Sequence, residues 1–252
     1  MVRLTGEELK IKYRNAKERL LLLDYDGTLV DYSPSPEKAL LPGKVGNILR
    51  KLSNDPDTTL YLITGRGYKD IERLTEQVPL KIIADHGAMK REDGGWEKQV
   101  KDEGLWKKSI FAVMERFTNV CSGSNIEEKS FSLAWHYRNA EPVTASVQSE
   151  LLVEALKTVI GSEALKILDG NKVIEVMSTS TGKGEAVKRL IDGIAYDFIL
   201  IIGDDVSDEE MFRFLKNRKE AITIKVGEGV TEAAHYLPFT SDVVKILNTL
   251  TE

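Results

Sequence analysis

The sequence of 252 residues is poor in cysteine and histidine, with one and three of them respectively. The single cysteine, Cys121, cannot form a disulfide within the chain, and no set of cysteines and histidines has the spacing of a zinc site. A buried free thiol is the expected state of Cys121, because no nearby Cys–His pattern indicates a catalytic nucleophile. Scaffolds stabilised by disulfides or by zinc are therefore excluded.

Long hydrophobic runs and an excess of positive charge are also absent. No apolar stretch approaches the roughly 20 residues that cross a membrane. The first residues, MVRLTGEELKIKYR, have no apolar core typical of a signal peptide. The formal net charge is −5, without the basic face that nucleic-acid binding requires. We expect a cytoplasmic protein that binds neither membranes nor nucleic acids, and the sequence leaves its oligomeric state open.

What the sequence does contain is an alternation of short apolar runs and amphipathic segments. The apolar runs are typical of strands buried on both faces, and they are RLLLLDY, TTLYLITG, LKIIADHG, DFILIIG and AITIKVG. Helical patterns separate them, which predicts an α/β fold with a parallel sheet and right-handed crossovers. We also predict a short helix over VTEAAHYL and a final helix over SDVVKILNTLTE.

The middle of the chain breaks this alternation. REDGGWEKQVKDEG is polar and glycine-rich, and a helix–strand–strand pattern then occurs twice. We therefore predict that residues 90–175 form a small inserted α+β domain with the order αββαββ. Residues 1–89 and 176–252 would form the α/β core.

Acidic, hydroxyl and lysine side chains follow the predicted core strands or begin the helices between them. These residues are Asp24, Asp26, Thr64, Lys183, Asp204, Asp205 and Asp208. Because ligands bind outside the carboxyl ends of parallel strands, we expect these side chains to lie together. Crowded carboxylates need a cation at neutral pH, and aspartate oxygens suit Mg²⁺. A lysine and a threonine beside such a metal suit a phosphate group, which leaves one aspartate to act as a nucleophile.

Each of these segments has a simpler explanation when it is taken alone. DYDGT is compatible with a turn after a strand, and GDDVSDEE with an acidic helix N-terminus. TGKGE is not part of a P-loop, because Met177 stands where the first glycine belongs. DYDGTLVDY is not a calcium-binding EF-hand loop, because Leu29 stands at its glycine position. The four segments in this order, each at a sheet end, favour a site for phosphate chemistry.

The segments DYDGT, ITGR, GKG and GDDVSDEE, in this order, resemble the four motifs of the haloacid dehalogenase superfamily of phosphatases. The resemblance covers essentially the whole chain, and the inserted domain is similar to the α/β cap of the Cof-like branch. It implies a Rossmann-like core in which Asp24 is the nucleophile and Asp26 is the general acid and base. It also implies that Thr64 and Lys183 hold the phosphate. The implied Mg²⁺ ligands and their supporting residues are Asp24, the main-chain carbonyl of Asp26, Asp204, Asp205 and Asp208.

Within that superfamily the sequence is most similar to the trehalose-6-phosphate phosphatases. IEEKSFSLAWHYRNA resembles that family's E-x-K followed by H-Y-R, GNKVIEVM resembles its G-K-x-V-x-E strand, and ADHGA resembles its segment after the third core strand. The implied sugar contacts are Arg66, Glu127, Lys129, His136, Arg138 and Glu175. The sequence departs from the family pattern at Asn171, where a lysine is usual, and at Met177 and Ser178, where a basic residue and a proline are usual.

The expected reaction is Mg²⁺-dependent hydrolysis of trehalose 6-phosphate to trehalose and phosphate, through an aspartyl-phosphate, as a step of trehalose biosynthesis. Several alternatives stay open. Another sugar or glycerate phosphate ester is one alternative substrate, and a phosphomutase or a phospho-sugar sensor is an alternative class of protein. Asp26 argues against a sensor, because an acid/base two residues after the nucleophile serves turnover. The charged residues of the inserted domain are also compatible with a solvated strand face.

Overall fold

The computed structural model describes residues 5–33, 36–93, 95–101, 104–162 and 164–252. The strands are β1 (Arg19–Leu23), β2 (Thr58–Ile63), β3 (Lys81–Ala84), β4 (Met89–Glu92), β5 (Gly95–Lys98), β6 (Asn125–Glu128), β7 (Ser132–His136), β8 (Leu165–Gly170), β9 (Val173–Ser178), β10 (Phe198–Gly203), β11 (Ala221–Val226) and β12 (His235–Leu237). The α-helices are α1 (Gly6–Asn15), α2 (Gly43–Ser53), α3 (Tyr68–Thr75), α4 (Lys107–Val120), α5 (Pro142–Ile160), α6 (Lys183–Ile191), α7 (Val206–Leu215) and α8 (Thr240–Leu250). Short 3-10 helices span Pro36–Lys38 and Asp85–Gly87.

Residue contacts divide the chain into two units. The core unit comprises residues 1–99 and 182–252, and the cap unit comprises residues 100–181. The predicted boundaries at residues 90 and 175 lie ten and six residues before the first and last residues of the cap unit. They differ because the polar segment after β3 is not a linker: β4 and β5 form a hairpin that pairs antiparallel with β3 and extends the core sheet.

The core unit is built on an eight-stranded sheet in the order β12-β11-β10-β1-β2-β3-β4-β5. The first six strands of this order run parallel, which confirms the predicted α/β fold. All five residues of β1 are buried, because β1 lies between β10 and β2. Leu21 and Leu23 pack in a cluster with α1, α2, α3 and α8, whereas Leu20 and Leu22 pack with α6 and α7. Helices therefore cover both faces of the strand that precedes Asp24.

One predicted helix of the core unit was wrong. The segment VTEAAHYL was expected to be helical, but His235–Leu237 form β12, which pairs in parallel with β11. The side chain of Thr223 accepts a hydrogen bond from the main-chain N–H of Ala234 at 2.9 Å. The preceding residues are thus held against β11, and the edge of the sheet satisfies the backbone groups that a helix would have paired internally.

The cap unit has the predicted αββαββ order. Its four strands form an antiparallel sheet in the order β6-β7-β9-β8. One face of this sheet packs against α4 and α5 through a cluster that includes Leu133, Trp135, Ile174 and Val176, and Cys121 is a buried free thiol there. No helix in the described part of the chain is long and apolar enough to cross a membrane.

Candidate active site

The loop after β1 carries Asp24 and Asp26 at the carboxyl end of the central strand. The Asp24 N–H donates to the Ile202 carbonyl at 3.0 Å, which continues the parallel pairing of β1 with β10. Gly27 has φ +76, and a Cβ on it would lie 2.2 Å from Oδ2 of Asp204. Only glycine combines this left-handed conformation with such close approach. The turn therefore brings the loop directly against Asp204.

Three carboxylates meet at this sheet end. One oxygen each of Asp24, Asp204 and Asp208 lies within 4.8 Å of the others. The Lys183 side chain is only 2% exposed, and its Nζ donates to Asp24 Oδ1 and Asp208 Oδ1, both at 2.7 Å. The side chains at the ends of β1 and β10 and at the start of α6 are thus brought together, as the sequence predicted.

Burial dominates the electrostatics of this cluster. Desolvation raises the pKa of Asp24 above its ordinary value, Asp208 and Asp204 add to this, and Lys183 opposes it. Desolvation and the charge of Asp208 raise the pKa of Asp204 to about 7. Desolvation alone would lower the pKa of Lys183, but the carboxylates of Asp208 and Asp24 outweigh it and raise that pKa. The cluster is therefore short of positive charge.

The oxygens of the cluster fit a divalent cation. Asp204 Oδ1 is buried without a hydrogen-bond partner among the described residues, while its Oδ2 accepts from the Tyr32 hydroxyl at 2.8 Å. Asp208 Oδ2 accepts from the main-chain N–H groups of Asp204 and Asp205, both at 3.0 Å, so Asp208 orders this loop. Asp205 is the N-cap of α7. A buried, unpaired carboxylate oxygen beside a second carboxylate suits a hard cation with oxygen ligands.

The Arg66 guanidinium group forms a salt bridge with the Asp26 carboxylate. Arg66 Nε donates to Asp26 Oδ2, and a terminal nitrogen of Arg66 donates to Oδ1, both at 2.6 Å. Burial alone would lower the pKa of Arg66, but its hydrogen bonds with Asp26 raise it. Arg66 was predicted as a sugar contact, and its structural partner is the predicted acid/base. Thr64 is buried, and its Oγ1 accepts from the Arg66 main-chain N–H at 3.2 Å.

Sequence reasoning missed two residues that contact Asp204. Lys225 is buried on β11, and its Nζ donates to the Asp204 main-chain carbonyl. A signal for Lys225 existed, since a lysine inside the apolar run AITIKVG needs a buried partner. Tyr32 lies in an irregular segment after the loop of Asp24 and Asp26, and no sequence pattern marked it.

The cap unit holds a second charged cluster on the sheet face opposite its helices. Register places Glu127 beside Ala134, and Ala134 beside Glu175, so the two glutamates share that face. His136 Nε2 lies 2.8 Å from Glu127 Oε2, and Lys129 Nζ lies 3.1 Å from Glu175 Oε1. The Ser132 hydroxyl also donates to Glu175, which is 3% exposed.

The remaining predicted cap residue lies apart from these pairs. Arg138 follows β7 and donates to the Asn171 carbonyl, in the turn between β8 and β9, at 2.7 Å. The structure therefore brings four of the predicted cap residues into one ion pair, Lys129–Glu175, and one hydrogen-bonded pair, His136–Glu127. It places Arg138 on a main-chain oxygen at one end of the sheet.

The parallel sheet, the aspartate pair after β1 and the unit inserted between the motif segments define a haloacid dehalogenase-type fold. A haloacid dehalogenase-like hydrolase from Bacillus subtilis shares this fold, with a TM-score of 0.61 at 15% identity over 91% of this chain and 98% of that chain. A family model described as trehalose-phosphatase matches residues 22–243. The chain belongs to the trehalose-phosphatase family.

Particular relatives agree with this membership. The C-terminal domain of Candida albicans trehalose-6-phosphate phosphatase has a TM-score of 0.92 at 28% identity, over 99% of this chain and 97% of that chain. Aspergillus fumigatus trehalose-6-phosphate phosphatase has a TM-score of 0.74 at 32% identity, over 99% and 98% of the two chains. A bifunctional trehalose-6-phosphate synthase/phosphatase of Thermoproteus tenax is 38% identical over 92% of this chain. The chain spans about a third of the length of the curated relatives it matches, 32% for that protein.

Proposed function

We propose that this protein is a Mg²⁺-dependent phosphatase that hydrolyses trehalose 6-phosphate to trehalose and inorganic phosphate. The observation that carries the proposal is the buried network of Asp24, Lys183 and Asp208 at the end of β1, with Asp204 beside it. Membership of the trehalose-phosphatase family supports the substrate.

In the first step, a carboxylate oxygen of Asp24 attacks phosphorus, and the bond from phosphorus to the sugar oxygen breaks. Asp26 gives its proton to the leaving sugar oxygen. In the second step, Asp26 takes a proton from water, which attacks the aspartyl-phosphate and releases phosphate and Asp24. Arg66 holds Asp26 in place, and each Asp26 oxygen keeps a second lone pair for the proton.

Lys183 and Thr64 bind the phosphoryl oxygens. An ammonium group has three N–H donors, and Lys183 gives one to Asp24 and one to Asp208, which leaves one for phosphate. The Thr64 hydroxyl, which accepts from the Arg66 N–H, donates its own proton to a second phosphoryl oxygen.

Asp24, Asp204 and the main-chain oxygen of Asp26 would hold the Mg²⁺ ion. When bound, Mg²⁺ neutralises charge on the phosphoryl group and orients its oxygens. Asp208 keeps the loop of Asp204 and Asp205 in place through its two main-chain hydrogen bonds.

The charged sheet face of the cap unit binds the sugar. Glu127, Lys129, His136 and Glu175 offer both donors and acceptors, as the hydroxyl groups of a disaccharide require. Their mutual pairing holds each side chain in a defined position before a ligand arrives.

The test is phosphate release across a panel of esters, each measured with Mg²⁺ and with excess chelator. The panel contains trehalose 6-phosphate, sucrose 6-phosphate, glucose 6-phosphate, a mannosyl-glycerate phosphate and an aryl phosphate. We expect trehalose 6-phosphate to have the largest kcat/KM, by about a hundredfold or more over the aryl phosphate, since sugar contacts add to transition-state binding. Chelator should abolish its turnover.

Two results would contradict parts of the proposal. Preference for another sugar phosphate would retain the chemistry and reject the substrate, and residues 171, 177 and 178, where the sequence departs from the family pattern, would be examined first. Conversion of one sugar phosphate to its isomer without phosphate release would indicate a mutase.

A further inference from the structure

We propose that the turn at Asp85 and His86 positions the phosphate-binding loop, defined as residues 64–66, and that the His86 imidazole fixes Gly65 in that loop. The inference rests on the proposed function, because it assigns a positioning role within that reaction. It concerns residues that neither bind the metal nor exchange protons in the steps above.

The backbone of this turn has an unusual conformation. Asp85 has φ +50 and His86 has φ +52, and Gly87 follows with φ +98. Two adjacent residues with side chains in the left-handed region are uncommon, and such strain persists only where the surroundings hold it. Strain of this kind is concentrated at functional sites.

Hydrogen bonds connect the turn to both ends of the loop. The Asp85 N–H donates to the Arg66 carbonyl at 2.8 Å, and the His86 N–H donates to the Thr64 carbonyl at 3.0 Å. The Asp85 side chain accepts from the Tyr68 N–H at 2.9 Å, at the start of α3. The left-handed backbone is what directs two consecutive N–H groups at the two carbonyls of one loop.

The imidazole of His86 fills the space over the middle of the loop. His86 is buried, with 6% of its surface exposed. A Cβ on Gly65 would lie 2.3 Å from its Cε1 and 2.4 Å from its Nε2, so the ring lies directly against the Gly65 backbone. The ring and the two N–H groups therefore contact all three loop residues.

Displacement of this loop would affect two functions together. Thr64 supplies the hydroxyl that we assign to a phosphoryl oxygen, and Arg66 holds both oxygens of Asp26 at 2.6 Å. A small misplacement of groups that act in the transition state lowers turnover strongly, by up to about a hundredfold for roughly 1 Å. His86 is therefore a positioning residue.

The experiment compares wild type with His86→Ala and His86→Asn, using trehalose 6-phosphate and an aryl phosphate. Asparagine tolerates the left-handed region but lacks the ring. We expect both variants to lose about 10- to 100-fold in kcat on both esters, with KM changed less than about threefold. Wild-type kcat in folded His86→Asn would overturn the role of the imidazole.

A double variant tests whether His86 acts through the loop. In the Arg66→Ala background, His86→Ala should lower kcat much less than it does in wild type, because coupled residues are not additive. If His86→Ala lowers kcat by the same factor in the Arg66→Ala background as in wild type, the proposal is overturned. His235→Ala, on β12 in the same sheet, is the matched control, and we expect wild-type kcat and KM for it.

The two proposals fail in different ways. If wild type hydrolyses only the aryl phosphate, the substrate assignment fails, and the kcat of His86→Asn on that ester still decides the inference. If wild type hydrolyses neither ester, the affinity for orthovanadate is measured by calorimetry. A loss of about tenfold in His86→Asn supports the inference, and equal affinity, or no binding by wild type, overturns it.

Discussion

In the core unit, Asp24, Asp204 and Asp208 share the buried Lys183, whereas in the cap unit Glu127 faces His136 and Glu175 faces Lys129. The core cluster therefore carries unbalanced negative charge, and burial raises the pKa of Asp24 and Asp204. In the cap cluster the hydrogen bond from His136 lowers the pKa of Glu127.

This contrast separates two kinds of polar site. A buried cluster with too few cations gains stability when a cation or a proton arrives, so it is poised for metal-dependent chemistry. A cluster of paired side chains is already hydrogen-bonded before a ligand binds, and it offers ordered donors and acceptors for recognition. Substitutions in the core should therefore change turnover, and substitutions in the cap should change affinity.

The largest effect is expected from Asp24→Asn. Loss of the nucleophile should lower kcat by about a thousandfold or more. The metal-free variant should keep its Tm, because asparagine removes one of the crowded charges. Asp242→Asn, on α8 beside Lys245, is the matched control and should retain full activity. Substantial turnover by purified, folded Asp24→Asn would reject Asp24 as the nucleophile.

The second largest effect is the dependence of protein stability on pH and on Mg²⁺. The pKa of Asp204 is about 7 in the folded protein, against an ordinary value of 3.8. Between these two pH values the folded state therefore binds more protons than the unfolded state. In chelator, the free energy of unfolding should therefore fall as pH rises from about 4 to 7. At pH 8, Mg²⁺ at about a hundred times its Kd should raise Tm by roughly 5–10 °C.

Calorimetry of Asp204→Asn provides the comparison for that measurement. The variant should show a flatter pH dependence in chelator and little response to Mg²⁺. If its Tm rises with Mg²⁺ as much as that of wild type, Asp204 is not a ligand.

The third effect is expected from Lys129→Ala. We expect KM for trehalose 6-phosphate to rise about tenfold, with a smaller change in kcat and no change in KM for an aryl phosphate. The same substitution removes the lysine that pairs with the buried Glu175, and loss of one partner of a buried ion pair costs about 3–5 kcal/mol of stability. The double variant Lys129→Met with Glu175→Gln should regain stability while KM stays high. An unchanged KM in Lys129→Ala would argue against sugar binding by this face.

The smallest effect is expected from Glu127→Gln. Because its pKa is lowered in the folded protein, Glu127 stabilises the fold above its ordinary value of 4.5, and this contribution is lost as pH falls through the folded value. The pair is partly exposed, so the difference between wild type and variant should stay below about 1 kcal/mol at pH 6. Chemical denaturation at pH 6 and pH 3.5 measures it, and a difference that does not shrink between these two pH values would contradict this origin.

The core strands and the order of the cap elements could be predicted because their apolar patterns are strong. The RLLLL run is buried on both faces, and the second helix of the predicted cap order is α5, over Pro142–Ile160. The β4–β5 hairpin and β12 could not be predicted, because they are short strands at the two ends of the sheet whose pairing depends on β3 and β11. The intrinsic β-propensity of a segment predicts its structure poorly when pairing with an existing sheet edge determines that structure.

Within the candidate sites, residues on strand ends were found and contacts between distant loops were not. The meeting of Asp24 and Asp204 follows from parallel strands ending together, and Lys183 begins α6, the helix that precedes β10. The pairing of Arg66 with Asp26 depends on side-chain directions that no spacing encodes. The turn of Asp85 and His86 was likewise hidden, because a positive φ is uncommon even for aspartate and histidine, in which it is enriched.

The position of β1 in the sheet has a consequence for how the chain folds. Arg19 pairs with Phe198 on one side and with Thr58 on the other, so the strand before Asp24 is complete only after the whole cap unit has been synthesised. Pairing across such a long sequence separation slows folding, because the chain loses the entropy of loop closure before the contacts between the strands stabilise it. Until β10 arrives, one apolar edge of β1 is open to other nascent chains. A fragment that ends before residue 198 should aggregate, whereas the described strands of the cap unit pair with one another and not with β10.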